Sequence, residues 1–267
     1  MLKLRILTAA ILVPAVVALV WWAPTWALGL AAGVVALVGA WEWASLSGLR
    51  ALWAHAGFTL LLAVLLVWLW TLHQNSLVLW ITAVVTLGWW LFALFWICCW
   101  RRQFPVLLKL GCGLLTLAPS WLATVALHAS VDGRVKLLFL LVLIWAADIA
   151  AYATGRGFGR HKLAPAVSPG KTWEGVGGGT LALLAVALVG VFWALPASGY
   201  ALILICVFTG WLSIVGDLSE SLFKRQAGRK DSGRLFPGHG GVLDRIDSLT
   251  AAVPVFWLGL AILERMQ

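Results

Sequence analysis

The stretch KDSGRLFPGHGGVLDRID, residues 230–247, gathers the side chains that phosphate chemistry needs. Lys230 and Asp231 lead into a turn-rich run in which Pro237 and the glycines around His239 (Gly238, Gly240 and Gly241) cannot continue a helix. Glycine also lets a backbone approach a ligand closely. Amides in such a loop can cradle phosphate, above all where a helix N-terminus follows. The helix expected next opens with Asp244, Arg245 and Asp247. Carboxylates at i and i+3 beside a basic loop suit a hard cation such as Mg²⁺ that also grips a polyphosphate. The same acids would also favour a helix N-terminus with no metal at all. Spacing alone leaves both readings open.

Just upstream, GDLSESLFKR sets Asp217, Glu220, Ser221 and Lys224 at i, i+3, i+4 and i+7, with Arg225 following. If the helix runs on past the membrane, two acids, a hydroxyl and an amine share one stripe. A solvated amphipathic helix end would look the same. A second polar segment, GRGFGRHKLAPAVSPGKTWEGVGGG, carries two misleading patterns. GRGFGR is too short for a dinucleotide fingerprint, and PGKT lacks the first glycine of a phosphate-binding P-loop, because residue 165 is proline. What remains is Lys162, Ser168, Lys171, Thr172 and Glu174 entering a glycine-lined helix. Lys171 suits a phosphate; a lysine reaching for the membrane surface is the alternative. Asp148 lies about five residues inside an apolar segment and needs a cavity or a partner, with Arg156 the structural option. Glu42, inside another apolar run near its cytoplasmic end, reads as satisfied by a helix neighbour.

The elements that position these residues are membrane helices. Of the 267 residues 63% are hydrophobic and only 11% charged, with 19 tryptophans and a mean hydropathy of +0.99. That is under half the charge of an ordinary globular chain, about 25%. Nine apolar segments are expected at 5–23, 25–46, 55–72, 76–99, 107–128, 136–153, 176–195, 199–219 and 249–264, each near the length of about 20 residues that a bilayer core demands. The first reads as a retained helix rather than a cleaved signal. With the N-terminus in the cytoplasm, 16 of the 19 basic residues fall on the cytoplasmic side and only Arg134, Lys136 and Arg265 outside. The net charge of +9 is then a topological signal, and no nucleic-acid partner is expected. The C-terminus lies outside, and both long loops, 154–175 and 220–248, face the cytoplasm. The chain reads as a single all-α membrane domain over 1–267, with helices 1–5 in 1–128 and the chemistry in helices 6–9 of 129–267. Cys98, Cys99, Cys112 and Cys206 have no paired spacing and read as buried structural thiols.

Ser221 to Asp247 resembles the signature of the phosphatidate cytidylyltransferase (CDP-diacylglycerol synthase) family. It shares that family's S-x-x-K-R spacing, K-D pair, G-H-G-G turn and closing D-R-x-D, and SPGKTWEG, residues 168–175, is similar to a second family motif. The resemblance implies that phosphatidate and CTP give CDP-diacylglycerol and pyrophosphate with Mg²⁺, leaving room for a second cation. It further implies a multi-pass enzyme of the bacterial inner membrane, a cavity open to the cytoplasm and to lipid, and a homodimer. By position in the motif, Asp217, Asp231, Asp244 and Asp247 would hold metal, while Lys171, Lys224, Arg225, Lys230 and Arg245 would face phosphates. Ser221 and His239 join the catalytic set, and Asp148, Ser168, Thr172, Gly238, Gly240 and Gly241 the substrate site. A transporter would instead place its charges near the membrane midplane. A lipid phosphatase would need a second histidine clustered with its nucleophile.

Overall fold

A computed structural model describes residues 2–100, 103–195, 199–233, 235 and 240–266, with residues 2–9 and 100 described by their backbone alone. Among the described residues there are nine α-helices: α1 (Leu2–Trp22), α2 (Thr25–Leu46), α3 (Leu52–Leu72), α4 (Ser76–Phe95), α5 (Val106–Ala129), α6 (Gly133–Phe158), α7 (Trp173–Val189), α8 (Ala201–Gln226) and α9 (Leu243–Met266). Single π-helical turns at Trp96–Trp100 and Gly190–Ala194 extend α4 and α7. Eight helices, α2 to α9, are long and apolar enough to cross a bilayer, and the described side chains of α1 add the shorter apolar stretch Ala10–Trp22. The protein is an all-α polytopic membrane protein. Hydrocarbon offers no hydrogen bonds, so apolar segments of this length must satisfy their backbone internally, as helices do.

Several helices run past the expected limits on the side that carries the charged motifs. α6 runs to Phe158 rather than 153, α7 begins at Trp173 rather than 176, and α8 continues to Gln226. Apolar pattern marks where a helix leaves the hydrocarbon, whereas the helix itself ends where its backbone finds other partners. The loop after α6 is not structureless. Lys162–Ala164 (β1) pairs antiparallel with Ser168–Thr172 (β2), Lys162 opposite Thr172 and Ala164 opposite Ser168.

The chain forms two compact units, each discontinuous in sequence. One comprises 1–82, 102–138 and 223–246. In it α2 and α5 run antiparallel in close register: Val125 packs at Gly29, Trp121 at Gly33, Leu117 at Gly39, and the Trp43 ring at Gly113. The indoles of Trp121 and Trp43 donate to the carbonyls of Gly29 and Lys109, both at 2.8 Å. His128 is buried between the Val20 carbonyl and the Thr25 hydroxyl, each at 3.0 Å.

The other unit comprises 83–101, 139–222 and 247–267. Small residues again let helices meet: Gly178 lies against Thr154, Gly179 against the Ala147 carbonyl, and Gly190 against Phe139. A β-carbon on Gly216 would stand 2.6 Å from the Asp247 carbonyl oxygen, so α8 and α9 touch backbone to side-chain position there. All four cysteines are free; Cys112 and Cys206 are buried as expected, whereas Cys98 and Cys99 are exposed at the end of α4.

Candidate active site

Two polar clusters carry the expected residues, one in each unit. In the second unit, the cluster begins with the hairpin β1–β2, which is pinned at its base. The Trp173 amide donates to the His161 carbonyl at 2.9 Å, and His161 Nδ1 lies 2.7 Å from Glu174 Oε1. Thr172 is buried and caps α7, its hydroxyl accepting from the Gly175 amide at 3.1 Å. That hydroxyl is therefore engaged in holding the helix start. Lys171, beside it, reaches across to α8 and pairs with Asp217, Nζ to Oδ2 at 2.6 Å. Asp148 on α6 faces both Lys171 and Asp217 and meets the Ser248 side chain. Arg156, the suggested structural partner of Asp148, donates instead to the Tyr152 hydroxyl at 2.9 Å.

These groups line a cavity of about 840 Å³ whose wall also includes Arg156, Lys162 and Ser168. Asp148 is accessible by surface area although protein surrounds it on most sides, as befits a side chain projecting from a concave wall. Ser221, one turn beyond Asp217 on α8, is buried, and its hydroxyl is 3.4 Å from Asp217 Oδ1, at the long limit for an O–H···O bond. Asp247 belongs to this unit too, and its Oδ1 accepts from the Ser248 amide at 2.8 Å.

In the first unit the cluster forms around the start of α9. Lys224 Nζ donates to Asp244 Oδ1 at 2.7 Å, with both side chains less than a tenth exposed. Asp244 Oδ2 accepts from the Ser232 amide at 2.9 Å, the Ser232 hydroxyl at 2.8 Å and the Gly241 amide at 2.7 Å. Both oxygens are thereby committed. Gly240 has φ +81, a left-handed conformation that suits glycine, and a β-carbon there would strike Asp244. Lys230, Asp231, Arg225 and Arg245 are exposed, and Arg229 reaches the Ser45 hydroxyl at 2.6 Å. Gly238 and His239 lie outside the described residues.

The residue that sequence reasoning left out of the site is Glu42. It is buried, and its partners lie at the start of α9 and in the loop before it. Oε1 accepts from the Val242 amide at 3.0 Å, and Oε2 from the Leu243 amide at 2.9 Å and the Ser232 hydroxyl at 2.8 Å. Two orphan donors at the start of α9 are thus capped by a carboxylate some 200 residues away in sequence. Gly233 and Gly241 press against that carboxylate so closely that a β-carbon on either would overlap it. The available signal was a lone acid in an otherwise apolar helix, which marks a need for a partner without saying which.

Among the described residues no three acidic, histidine or cysteine side chains converge as an all-protein metal cage. The cavity of the second unit nonetheless fits a magnesium ion. Mg²⁺ is commonly held by one or two carboxylates with water and substrate phosphate completing its shell. Asp148 and Asp217, on either side of Lys171, supply such a pair. Asp244, with both oxygens hydrogen-bonded, is less suited in this arrangement.

The chain is also similar to known proteins along its length. A family model described as the cytidylyltransferase family matches residues 3–263. A phosphatidate cytidylyltransferase of Pseudomonas aeruginosa is 44% identical over 270 residues, covering 96% of each chain. That of Haemophilus influenzae is 39% identical over 285 residues, covering 96% of this chain and 97% of its own. The Brucella suis enzyme of the same name is 46% identical over 126 residues, 47% of each chain. With the motif residues 168–175 and 221–247 inside the matched span, the chain belongs to the cytidylyltransferase family.

Proposed function

We propose that this enzyme transfers the cytidylyl group of CTP to phosphatidate, forming CDP-diacylglycerol and pyrophosphate for phospholipid synthesis. The observation that carries the reading is the Lys171–Asp217 pair with Asp148 on the wall of a polar cavity, within a chain of this family. A phosphatidate oxygen bonds to the α-phosphorus of CTP as the bond from that phosphorus to the bridging oxygen of the β-phosphate breaks. Pyrophosphate leaves with the electron pair. The attacking phosphate is ionised at neutral pH, so no strong general base is required of the protein.

Lys171, Lys162 and Arg156 have the charge and the position to bind phosphate oxygens and orient them for in-line attack. Fixed cations aimed where negative charge accumulates are the main electrostatic means of lowering such a barrier. Asp217 and Asp148 are the residues that would hold Mg²⁺, which when bound would neutralise phosphate charge and favour departure of pyrophosphate. Lys224 and Asp244, joined to Glu42 through Ser232, fix the signature loop from which Lys230 and Asp231 extend, and the start of α9 that carries Arg245. Basic residues on that loop are then available to phosphate as well. A site of this kind in a bacterial inner-membrane protein would face the cytoplasm, where CTP is, with the N-terminus inside and the C-terminus outside. The homodimer is carried over from the family resemblance.

The test is an assay of the purified chain in detergent with phosphatidate, labelled CTP and Mg²⁺. Label in a lipid product together with pyrophosphate, lost on chelation and restored by Mg²⁺, is the expected result. Release of phosphate from phosphatidate without nucleotide incorporation would replace this reading with a phosphatase.

A further inference from the structure

Lys162 lines the cavity of the second unit from β1, the less securely held strand of the hairpin. The strands are three and five residues long, and their register shifts between Lys162 and Ala164. A two-stranded hairpin of that size is marginal on its own in water. β2 is secured because it runs straight into α7 through the Thr172 cap, and Lys171 is further tied to Asp217. β1 has no such continuity with α7. The chain reaches it from the end of α6 by way of Gly159, Arg160 and His161.

His161, immediately before Lys162, joins β1 to the first turn of α7 through its carbonyl, its amide and its ring. The carbonyl accepts from the Trp173 amide at 2.9 Å. The amide donates to both carboxylate oxygens of Glu174, each at 3.2 Å, and ring Nδ1 lies 2.7 Å from Oε1. One carboxylate thus fixes both the backbone and the ring of the residue next to Lys162. Glu174 is also the one acid between Asp148 and Asp217 in sequence, in a stretch that carries Arg156, Arg160, Lys162 and Lys171. Yet neither Glu174 nor His161 is among the residues that line the cavity. An effect of Glu174 on a ligand there must pass through the groups it holds or through its charge.

We infer that Glu174 is a positioning residue: by holding His161 it sets β1 so that Lys162 meets a phosphate in the cavity. Identifying that phosphate with CTP or phosphatidate rests on the proposed reaction; the hold on β1 does not. Charge and position predict opposite signs. An acid near an anion site repels the anion, so on charge alone its removal would tighten phosphate binding. Removal of a positioning acid loosens β1, and the entropy of ordering it again is lost on binding, so affinity falls. Glutamine separates the two. It carries no charge, but it keeps a carbonyl oxygen for the His161 amide, and its NH₂ can donate to Nδ1 in the neutral tautomer that accepts there.

The experiment is equilibrium binding of CTP and of phosphatidate, each alone, to the full chain in detergent, with steady-state kinetics alongside. Glu174→Ala should weaken at least one of the two about tenfold, the scale of one lost charge-assisted hydrogen bond. The KM of that substrate should rise in step, with kcat changed by less than about threefold. Glu174→Gln should bind within about threefold of wild type, or more tightly. His161→Ala keeps the backbone bonds and should lose less than Glu174→Ala does. In a Lys162→Met background, Glu174→Ala should change affinity by less than about twofold, because the group through which it acts is gone. If Glu174→Ala fails to fold, Glu174→Asp, one methylene shorter, carries the same cycle. Tighter binding by Glu174→Ala overturns the proposal, as does a glutamine variant as weak as the alanine one. Unchanged binding of both probes overturns it too, and so does a tenfold loss that persists in Lys162→Met. A wild-type chain that binds both probes but makes no CDP-diacylglycerol would overturn the proposed reaction and leave these comparisons readable.

Discussion

Lys171 lies between two carboxylates, Asp148 and Asp217. Asp217→Asn removes one charge from the pair proposed to hold Mg²⁺ while keeping the side chain's size. Turnover should fall about 10²–10³-fold, the scale seen when one preorganised electrostatic group is lost. Steady-state kinetics with thermal unfolding checks this, and near-normal turnover in folded Asp217→Asn would remove Asp217 from the mechanism. Glu42 poses a different question, because it touches loop backbone. Glu42→Gln sets an amide NH₂ among groups that are themselves donors: the Val242 and Leu243 amides and the Ser232 hydroxyl. A loss of about 1–3 kcal/mol in unfolding free energy is expected, the cost of leaving a buried polar group unsatisfied. Glu42 and Ser232 share a bond, so the Glu42→Gln and Ser232→Ala effects on turnover should be non-additive by more than about 0.5 kcal/mol. Additivity would show that Glu42 does not act through Ser232.

The helices themselves offer a sharper test, because adjacent glycines of α7 make opposite predictions. A β-carbon on Gly177 would meet nothing within 4 Å, whereas one on Gly178 would stand 2.7 Å from Thr154 Cβ. Gly177→Ala should stabilise the chain by about 0.5–1 kcal/mol, by reducing the freedom of the unfolded backbone. Gly178→Ala should destabilise it by about 1–3 kcal/mol, because α6 and α7 must separate. Thermal unfolding in one detergent reads both, and equal effects would mean that the two helices do not meet at Gly178. The sequence pattern located α2 at 25–46, the limits the structure has, because here the helix stops where its apolar run stops. It could not reveal the β1–β2 hairpin, whose strands are three and five residues long and carry no alternation. Nor could it separate Thr172 the helix cap from Lys171 its charged neighbour. Local spacing marked both as polar, and only the fold shows that the Gly175 amide occupies the threonine. The partners of Glu42 were out of reach for the same reason, since they depend on how α2 meets a loop far along the chain.

At the scale of the molecule, the distribution of basic residues predicts the orientation of the chain in the bilayer. Val131 sits in the turn after α5, and Ala166 in the turn of the β1–β2 hairpin, with α6 the one spanning helix between them in sequence. The two positions must therefore lie on opposite faces of the membrane. The hairpin side carries Arg156, Arg160, Lys162 and Lys171, while the turn side carries Arg134 and Lys136. Cytoplasmic loops are the ones that retain excess lysine and arginine, so the hairpin is expected in the cytoplasm and the turn outside. Both residues are exposed, so a cysteine at either is open to reagent. In a chain whose Cys98, Cys99, Cys112 and Cys206 are replaced by serine or alanine, Val131→Cys should react with a membrane-impermeant maleimide in intact spheroplasts. Ala166→Cys should react only after the membrane is opened. The reverse pattern would turn the whole chain over, carrying the Lys171–Asp217 cavity away from the CTP pool and removing the proposed reaction with it. Labelling of both from outside would mean that α6 does not span.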